Sequence, residues 1–272
     1  MTHIRGELVV RALFSVGRIV FFSALSLGVA GLIWQGLIHL FHLNPYFAKG
    51  PLDVYDYLFN SSGDTVDRTL LWNALWITLR DAALGFVSGS IAAFVVAIGV
   101  VLRRGFAQTV MPVAIALRSV PLVAMTPLIS LVFGQGLFTV AIVSGVVTFF
   151  PSFANMITGL RAVPSQAFDL FRAYGASEVD VLRRLQLPYA IPSLFTAARI
   201  AAPGALLGAI LAEWLATGRG LGYIMVTSSS TSQYALLWST IVIITVVSVL
   251  IYNLVSTLER AFSVRLGIAG AR

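Results

Sequence analysis

Three features of the sequence predict an all-α membrane protein with about six transmembrane helices and both termini in the cytoplasm. Of 272 residues, 58% are hydrophobic and only 11% are charged. A soluble domain carries about 25% charged residues, so water cannot be the solvent for most of this surface. The apolar residues fall into long runs near the ~20 residues that a helix needs to cross the hydrocarbon core. Thirdly, arginine and lysine fall unevenly between the connecting loops, which fixes an orientation.

Taken in order, the first helix is predicted near Ile19 to Phe41. The run from Ile19 to Ala48 contains no Asp, Glu, Lys or Arg, which is long for a cleavable signal segment of about 7–15 apolar residues. It reads as an uncleaved span. The second helix lies near Trp76 to Leu102. An uncharged stretch from Ser119 to Leu160 is too long for one crossing and is divided by Gly134-Gln135-Gly136. Helix three is therefore placed near Ala107 to Phe133 and helix four near Leu137 to Leu160. Helices five and six follow near Ile191 to Ala216 and Tyr234 to Leu258. With the N-terminus inside, 13 basic residues fall inside and 3 outside (Lys49, Arg68 and Arg219), and 2 (Arg80 and Arg118) lie within spans. The reverse topology would invert that bias. The asymmetry also accounts for a pI of about 10.2 without nucleic acid as a partner. The domain organisation expected is a cytoplasmic segment over residues 1–18, one transmembrane domain over 19–260 and a cytoplasmic tail over 261–272.

An outer loop over residues 42–72, with Asp53, Asp56, Asp64 and Asp67 and the turn-like Asn60-Ser61-Ser62-Gly63-Asp64, is expected to form a small external cap. Gly85 with Gly89 and Gly204 with Gly208 are spaced four apart, the pattern that lets helix backbones approach closely in lipid. Pro112, Pro121 and Pro127 each remove a backbone donor, so helix three should be kinked or broken. Freed carbonyls at membrane depth need protein or a water-filled cavity, a weak pointer to a pathway near Pro121.

Several chemistries are missing. There is no cysteine, so disulfides, thiolate metal sites and cysteine nucleophiles are excluded. The only lysine, Lys49, is followed by Gly50 and Pro51, so no phosphate-binding Gly-Lys-Ser/Thr ending exists. No catalytic constellation is found. His39 and His42 lack a carboxylate or thiol companion, and no metal site is assigned.

The most informative stretch is polar. Between helices four and five, over residues 161–190, the chain leaves the bilayer. Phe168, Phe171 and Tyr174 recur every third residue, as on one helical face, and Gly175 then ends the pattern. Ser177 with Asp180 reads as a capping box opening a second helix. Val179, Leu182 and Leu185 form its apolar stripe, and Arg183 and Arg184 complement the dipole of its last turn. Pro188 and Pro192 are expected to close the unit. Amphipathicity alone allows either a helix pair lying on the inner leaflet or a docking surface for a cytoplasmic partner.

The spacing within this stretch resembles the Glu-Ala-Ala signature loop of bacterial ABC importer permeases. Asp169 takes the acidic position and Gly175 lies six residues on. After nine further residues come Leu185, Gln186, Leu187 and Pro188. Leu170 and Phe171 stand where alanines are usual. Leu117-Arg118-Ser119-Val120-Pro121, Phe133-Gly134-Gln135-Gly136, Phe149-Phe150-Pro151, Glu213-Trp214, Arg219-Gly220-Leu221-Gly222-Tyr223 and Leu258-Glu259-Arg260 are similar, in order, to the nitrate, sulfonate and taurine branch. Together these run from about Leu79 to Arg260.

The resemblance implies a type I ABC importer permease fold in the bacterial inner membrane. It implies partners: two cytoplasmic ATPase subunits that hold the ATP and Mg, a second permease copy or paralogue, and an extracytoplasmic solute-binding protein. The loop residues that would couple to the ATPase are Asp169, Tyr174, Gly175, Ala176, Ser177, Leu182, Leu185, Leu187 and Pro188. Gly175 would be the bend. The chain would not itself be an enzyme, in keeping with the missing phosphate-binding motif. Charges within spans usually face a bundle interior or aqueous cavity. Arg118, Pro121 and Glu213 are therefore path candidates, Arg118 suiting an anionic solute. A secondary transporter or channel without an ATPase is the competing reading. An inverted repeat would favour it, and none is visible.

Overall fold

A computed structural model describes residues 2–60 and 68–265. All regular structure among them is helical. The helices are α1 (Thr2–Leu40), α2 (Pro51–Tyr55), α3 (Arg68–Leu102), α4 (Arg104–Ser119), α5 (Leu122–Phe133), α6 (Leu137–Arg161), α7 (Ser165–Ala173), α8 (Glu178–Val181), α9 (Leu187–Ala212), α10 (Leu221–Ser230) and α11 (Tyr234–Arg265). Wider π-helical turns continue α2 (Asp56–Asn60), α8 (Leu182–Gln186) and α9 (Glu213–Thr217). Asp64, Asp67 and most of the turn expected in the outer loop lie outside the described residues, as does the tail beyond 265.

Among the described residues, five helical segments are long and apolar enough to cross a membrane: Phe21–Leu40, Arg68–Leu102, Leu137–Arg161, Glu178–Thr217 and Tyr234–Phe262. A sixth exists if Gly105–Ser119 and Leu122–Phe133, bent by 102° at their junction, count as one. The single helix three of the sequence reading is thus two helices. The break falls at Val120-Pro121, where Val120 is extended (φ −79, ψ 127) and Pro121 caps α5. A residue before proline is pushed out of the helical region, and proline cannot donate to the turn behind it. Pro112 and Pro127 sit inside their helices.

Helix five needs a second correction. Pro188 and Pro192 do not close the preceding unit: helical structure runs on from Glu178 to Thr217. The π turn explains the continuity. Leu187 N–H reaches back to Leu182 O, a five-residue step that widens the turn just before Pro188, where a donor is missing. At 1.5 Å per residue the 40 residues from Glu178 to Thr217 span about 60 Å, roughly twice the hydrocarbon thickness, so the segment is longer than a single crossing needs. Helix α10 was not foreseen.

The chain forms two compact units, residues 1–74 with 224–272, and residues 75–223. In the first, α1 and α11 run antiparallel. Asn253 donates to Ser23 Oγ at 2.8 Å, and the Trp34 and Trp238 rings stack with centroids 5.1 Å apart. Trp238 Nε1 donates to Phe47 O at 2.8 Å, and Tyr46 meets Tyr234 edge-on. The described part of the outer loop folds back against α1. Pro51 lies against Gly31 of α1, and Gly50 against Gln35.

In the second unit α6 is the central helix, with α3 and α9 close against it. Gly85 and Gly89 of α3 meet Ser144 and Gly145, and a Cβ on Gly208 of α9 would lie 2.6 Å from Ser144 Cα. Both four-spaced glycine pairs are therefore packing devices, as the sequence suggests. Ser144 Oγ donates to Ala205 O across the α6–α9 seam at 2.8 Å. Towards one end Ala93, Ala97, Phe153, Met156, Leu160 and Ala190 form a buried apolar core. A methyl group on Gly89 would strike the Gly145 carbonyl, which is backbone and cannot rotate away. Gly89→Ala is expected to cost about 1–3 kcal/mol, the usual range for overpacking, and to lower the melting temperature in detergent. Gly28→Ala, on an open face of α1, should be neutral or gain up to about 1 kcal/mol.

Candidate functional site

The polar stretch between α6 and α9 folds as a small helical unit with its own core. Ala162 N–H closes α6 onto Gly159 O at 3.2 Å. Pro164, whose fixed φ suits a helix start, opens α7. At the other end Gly175 adopts φ +73. Ala176 N–H bonds to Phe171 O at 3.0 Å and Gly175 N–H to Arg172 O at 2.9 Å. These two bonds are the Schellman ending, for which glycine is the usual residue. Its accompanying apolar contact is present too, since Phe171 and Ala176 pack in one cluster with Val163, Val181 and Leu185.

Ser177 caps α8 as the spacing predicts. Its Oγ accepts from Asp180 N–H at 3.2 Å, and the Asp180 carboxylate accepts from the Ser177 hydroxyl at 2.5 Å and amide at 3.3 Å. Those Ser177 hydrogen bonds, hydroxyl first, hold the Asp180 carboxyl below the usual carboxylate range. A depressed carboxylate stabilises the fold above its unfolded pKa, near 4, and loses that contribution as pH falls through the lower folded value. Hydrogen-exchange protection of amides 178–181 is therefore expected to hold at neutral pH and to fall below about pH 4. Ser177→Ala should lower it at neutral pH, because the cap is gone.

Two apolar expectations shift. Tyr174 does not join the stripe of Phe168 and Phe171: it is 84% exposed, because the helix ends there and the chain turns at Gly175. In α8 the inward residues are Val181, Leu182 and Leu185, whereas Val179 is exposed. Val181, Leu182 and Leu185 stand at i, i+1 and i+4, which is one helical face, and Val179 lies off it.

The candidate residues thus divide into a surface and its support. Asp169, Tyr174, Gly175, Ser177 and Pro188 are exposed. Asp169 makes no hydrogen bond or ion pair with the described residues. Leu182 and Leu185 are buried, and Ala176 and Leu187 are half-buried. A shallow groove of about 460 Å³ opens on the surface, lined by Leu170, Phe171, Tyr174, Gly175, Ala176, Asp180 and Arg184. Leu170, one of the two residues standing where alanine is usual, forms part of its wall and is 56% exposed. The Arg184–Asp180 contact at 3.8 Å is exposed and of small energetic weight. Sequence reasoning missed Gln186, which is buried and donates to Leu160 O at 3.1 Å. Its signal was a polar residue between two apolar ones at the inward phase. Through that bond α6 and the loop are tied together, while α9 continues from the loop without a break.

The path candidates lie elsewhere. Arg118 sits in the last turn of α4, two residues before the break at Val120-Pro121, and is exposed on this chain. The sequence reading had put it within a span; it lies beside the 102° bend between α4 and α5. Arg118 has no hydrogen bond or ion pair with the described residues. Glu213, by contrast, is fully buried. Its carboxylate accepts from Thr78 Oγ1 and from Gly222 N–H, each at 2.9 Å. Arg80 pairs with its neighbour Asp81 at 2.8 Å, and Asp81 is buried.

A multi-pass membrane component with a structured polar unit inserted between two of its spans is the class defined by this fold and site. The chain belongs to the family of binding-protein-dependent transport system inner membrane components, whose model matches residues 85–266. It is 28% identical to a probable ABC transporter permease protein of Haemophilus influenzae, over 88% of this chain and 95% of the relative. It is 30% identical to a riboflavin transport system permease protein of Chloroflexus aurantiacus, over 70% of this chain and 71% of the relative. Aliphatic sulfonate, taurine and nitrate permeases match at 29%, 28% and 25% identity. Among solved structures, a chain of the inward-facing MetNI methionine ABC transporter superposes with a TM-score of 0.65 at 21% identity, covering 73% of this chain and 99% of that one. The fold is that of type I ABC importer permeases, and the chain is a multi-pass inner-membrane ABC permease.

Proposed function

We propose that this chain forms the translocation path of an ATP-driven importer and couples it to a cytoplasmic ATPase subunit through the Asp169–Pro188 unit. The observation that carries this is the mechanical continuity of the unit. Its exposed groove rests on its own apolar core, Gln186 fastens it to the end of α6, and its second helix runs unbroken into α9. A force on the groove would be passed to both helices, and an element with two arrangements coupled in this way is what differential binding can bias. ATP and Mg would be held by two ATPase subunits. A second permease copy or paralogue would complete the path, and an external binding protein would deliver the solute. Both termini and the 161–190 unit would then face the cytoplasm, as the arginine bias requires.

The experiment is co-expression with candidate ABC ATPase and solute-binding-protein subunits from the same organism. A stable complex whose ATP hydrolysis in proteoliposomes is stimulated by liganded binding protein supports the reading. Solute uptake by the chain without any ATPase overturns it.

Relatives carry names for riboflavin, formylaminopyrimidine, sulfonate, taurine and nitrate transport, so the solute proposed is a small compound. Arg118, uncompensated beside the proline break, favours an anion. Arg118→Ala is expected to lower uptake of an anionic solute about tenfold, the worth of about 1.4 kcal/mol, with complex assembly unchanged. Unaltered uptake removes Arg118 from the path.

A further inference from the structure

We infer that the ten-residue helix Pro51–Asn60 is embedded in the membrane interface, with Leu52, Tyr55 and Phe59 in contact with lipid. Its depth comes from α1. After α1 ends at Leu40 the chain reverses through a turn in which Ala48 N–H bonds to Asn44 O at 3.1 Å and Lys49 Nζ to Pro45 O at 2.8 Å. Gly50 then lies against Gln35, and Pro51 Cγ is 3.9 Å from where a Cβ on Gly31 would stand. Gly31 is nine residues before the end of α1, or about 13 Å of helical rise. The helix therefore starts well back along a membrane span.

Three faces can be distinguished. Val54 is buried, and Tyr57 and Leu58 are half-buried. Asp53, Asp56 and Asn60 form a polar face satisfied locally: Asp53 accepts from Gly50 N–H and Asp56 from Asn60 Nδ2, both at 2.7 Å. Leu52, Tyr55 and Phe59 recur at i, i+3 and i+7 and are 74%, 54% and 64% exposed. This division, with one polar and one apolar open face, is that of a helix lying at the headgroup–acyl boundary, sunk about 5–10 Å.

Lipid is the occupant because the apolar face continues the exposed apolar face of a helix long and apolar enough to cross the membrane. At the same level α1 exposes Leu32 and Ile33, in a span that buries none of its apolar window within the chain. Tyrosine at such a boundary places its ring in the apolar layer and its hydroxyl at the headgroups.

The chain has no cysteine, so single-cysteine variants report cleanly. Full-length protein is reconstituted in phosphatidylcholine–phosphatidylglycerol vesicles with a nitroxide at position 52, 55 or 59, or at 53, 56 or 60. Collisions with oxygen should dominate at the first three positions and collisions with a water-soluble nickel chelate at the others. In unlabelled variants, a membrane-impermeant maleimide should modify Asp53→Cys and Asp56→Cys, with modification lost at Leu52→Cys and Phe59→Cys. Nickel access at all six positions, or shielding of 52, 55 and 59 from both reagents as a protein partner would give, overturns the proposal.

Discussion

Gly175→Trp is expected to abolish solute uptake while the chain still folds and inserts. The folded chain itself tolerates the change. Gly175 has φ +73, where an L-residue pays about 1–2 kcal/mol, yet a Cβ there meets no atom within 4 Å. The indole would project into open space beside Tyr174 at the mouth of the groove. An ATPase subunit seated on that groove would meet it directly. Bulk at the centre of an interface removes several close contacts at once, and a loss of about 3 kcal/mol corresponds to more than a hundredfold in affinity. Gly175→Asn separates strain from obstruction, because asparagine adopts the left-handed region more readily and is small. Uptake and ATP hydrolysis measured in the same proteoliposomes decide the matter. Loss of uptake with Trp and its retention with Asn fits docking at this bend. Normal uptake with Trp sinks it.

The loop was legible in the sequence because its signals are local. Capping by Ser177 and Asp180, the left-handed Gly175 and the ends of α6 near Gly134 and Leu160 depend on residues a few positions apart, and backbone chemistry reads them the same way in any context. The glycine pairs at 85/89 and 204/208 were legible as close-approach devices, but their common partner, Ser144-Gly145 of α6, was not, since nothing local says which helix comes near. Legibility failed where hydrogen-bond geometry left the regular α pattern. The π turn at Leu182–Gln186 carried the helix through Pro188, whereas a 3.6-residue period assumes a uniform twist. The depth of Pro51–Asn60 was hidden for a different reason: four acidic residues in the loop suggested water, and only the approach to Gly31 and Gln35 shows how far back the helix begins.

Glu213→Ala is expected to be the most destabilising single change in the 75–223 unit. The sequence made Glu213 a path candidate near the end of helix five; its contacts give it a structural task. Leu221 and Gly222 open α10, so their N–H groups have no partner within that helix. Gly222 N–H donates to the Glu213 carboxylate, and Leu221 N–H donates to Thr78 Oγ1, each at 2.9 Å. Thr78 in turn donates its own hydroxyl to the same carboxylate oxygen. A buried carboxyl group thus caps a helix that begins eight residues later. Gly220, at φ +84, lets the turn pass directly over the carboxylate, where any Cβ would collide with it. Alanine at 213 deserts two buried donors at about 1–3 kcal/mol each and leaves a cavity beside them, for a total of about 3–5 kcal/mol. Glutamine retains an acceptor oxygen of the same reach, so Glu213→Gln should keep most of the stability. Thermal unfolding in detergent distinguishes the two, and a path role is tested in the same pair of variants. If Glu213→Gln is as stable as the parent but transports poorly, the charge acts on the solute. If both stability and transport survive with glutamine and fail with alanine, Glu213 is the cap of α10, and its burial among Thr78, Gly220 and Gly222 is its whole function.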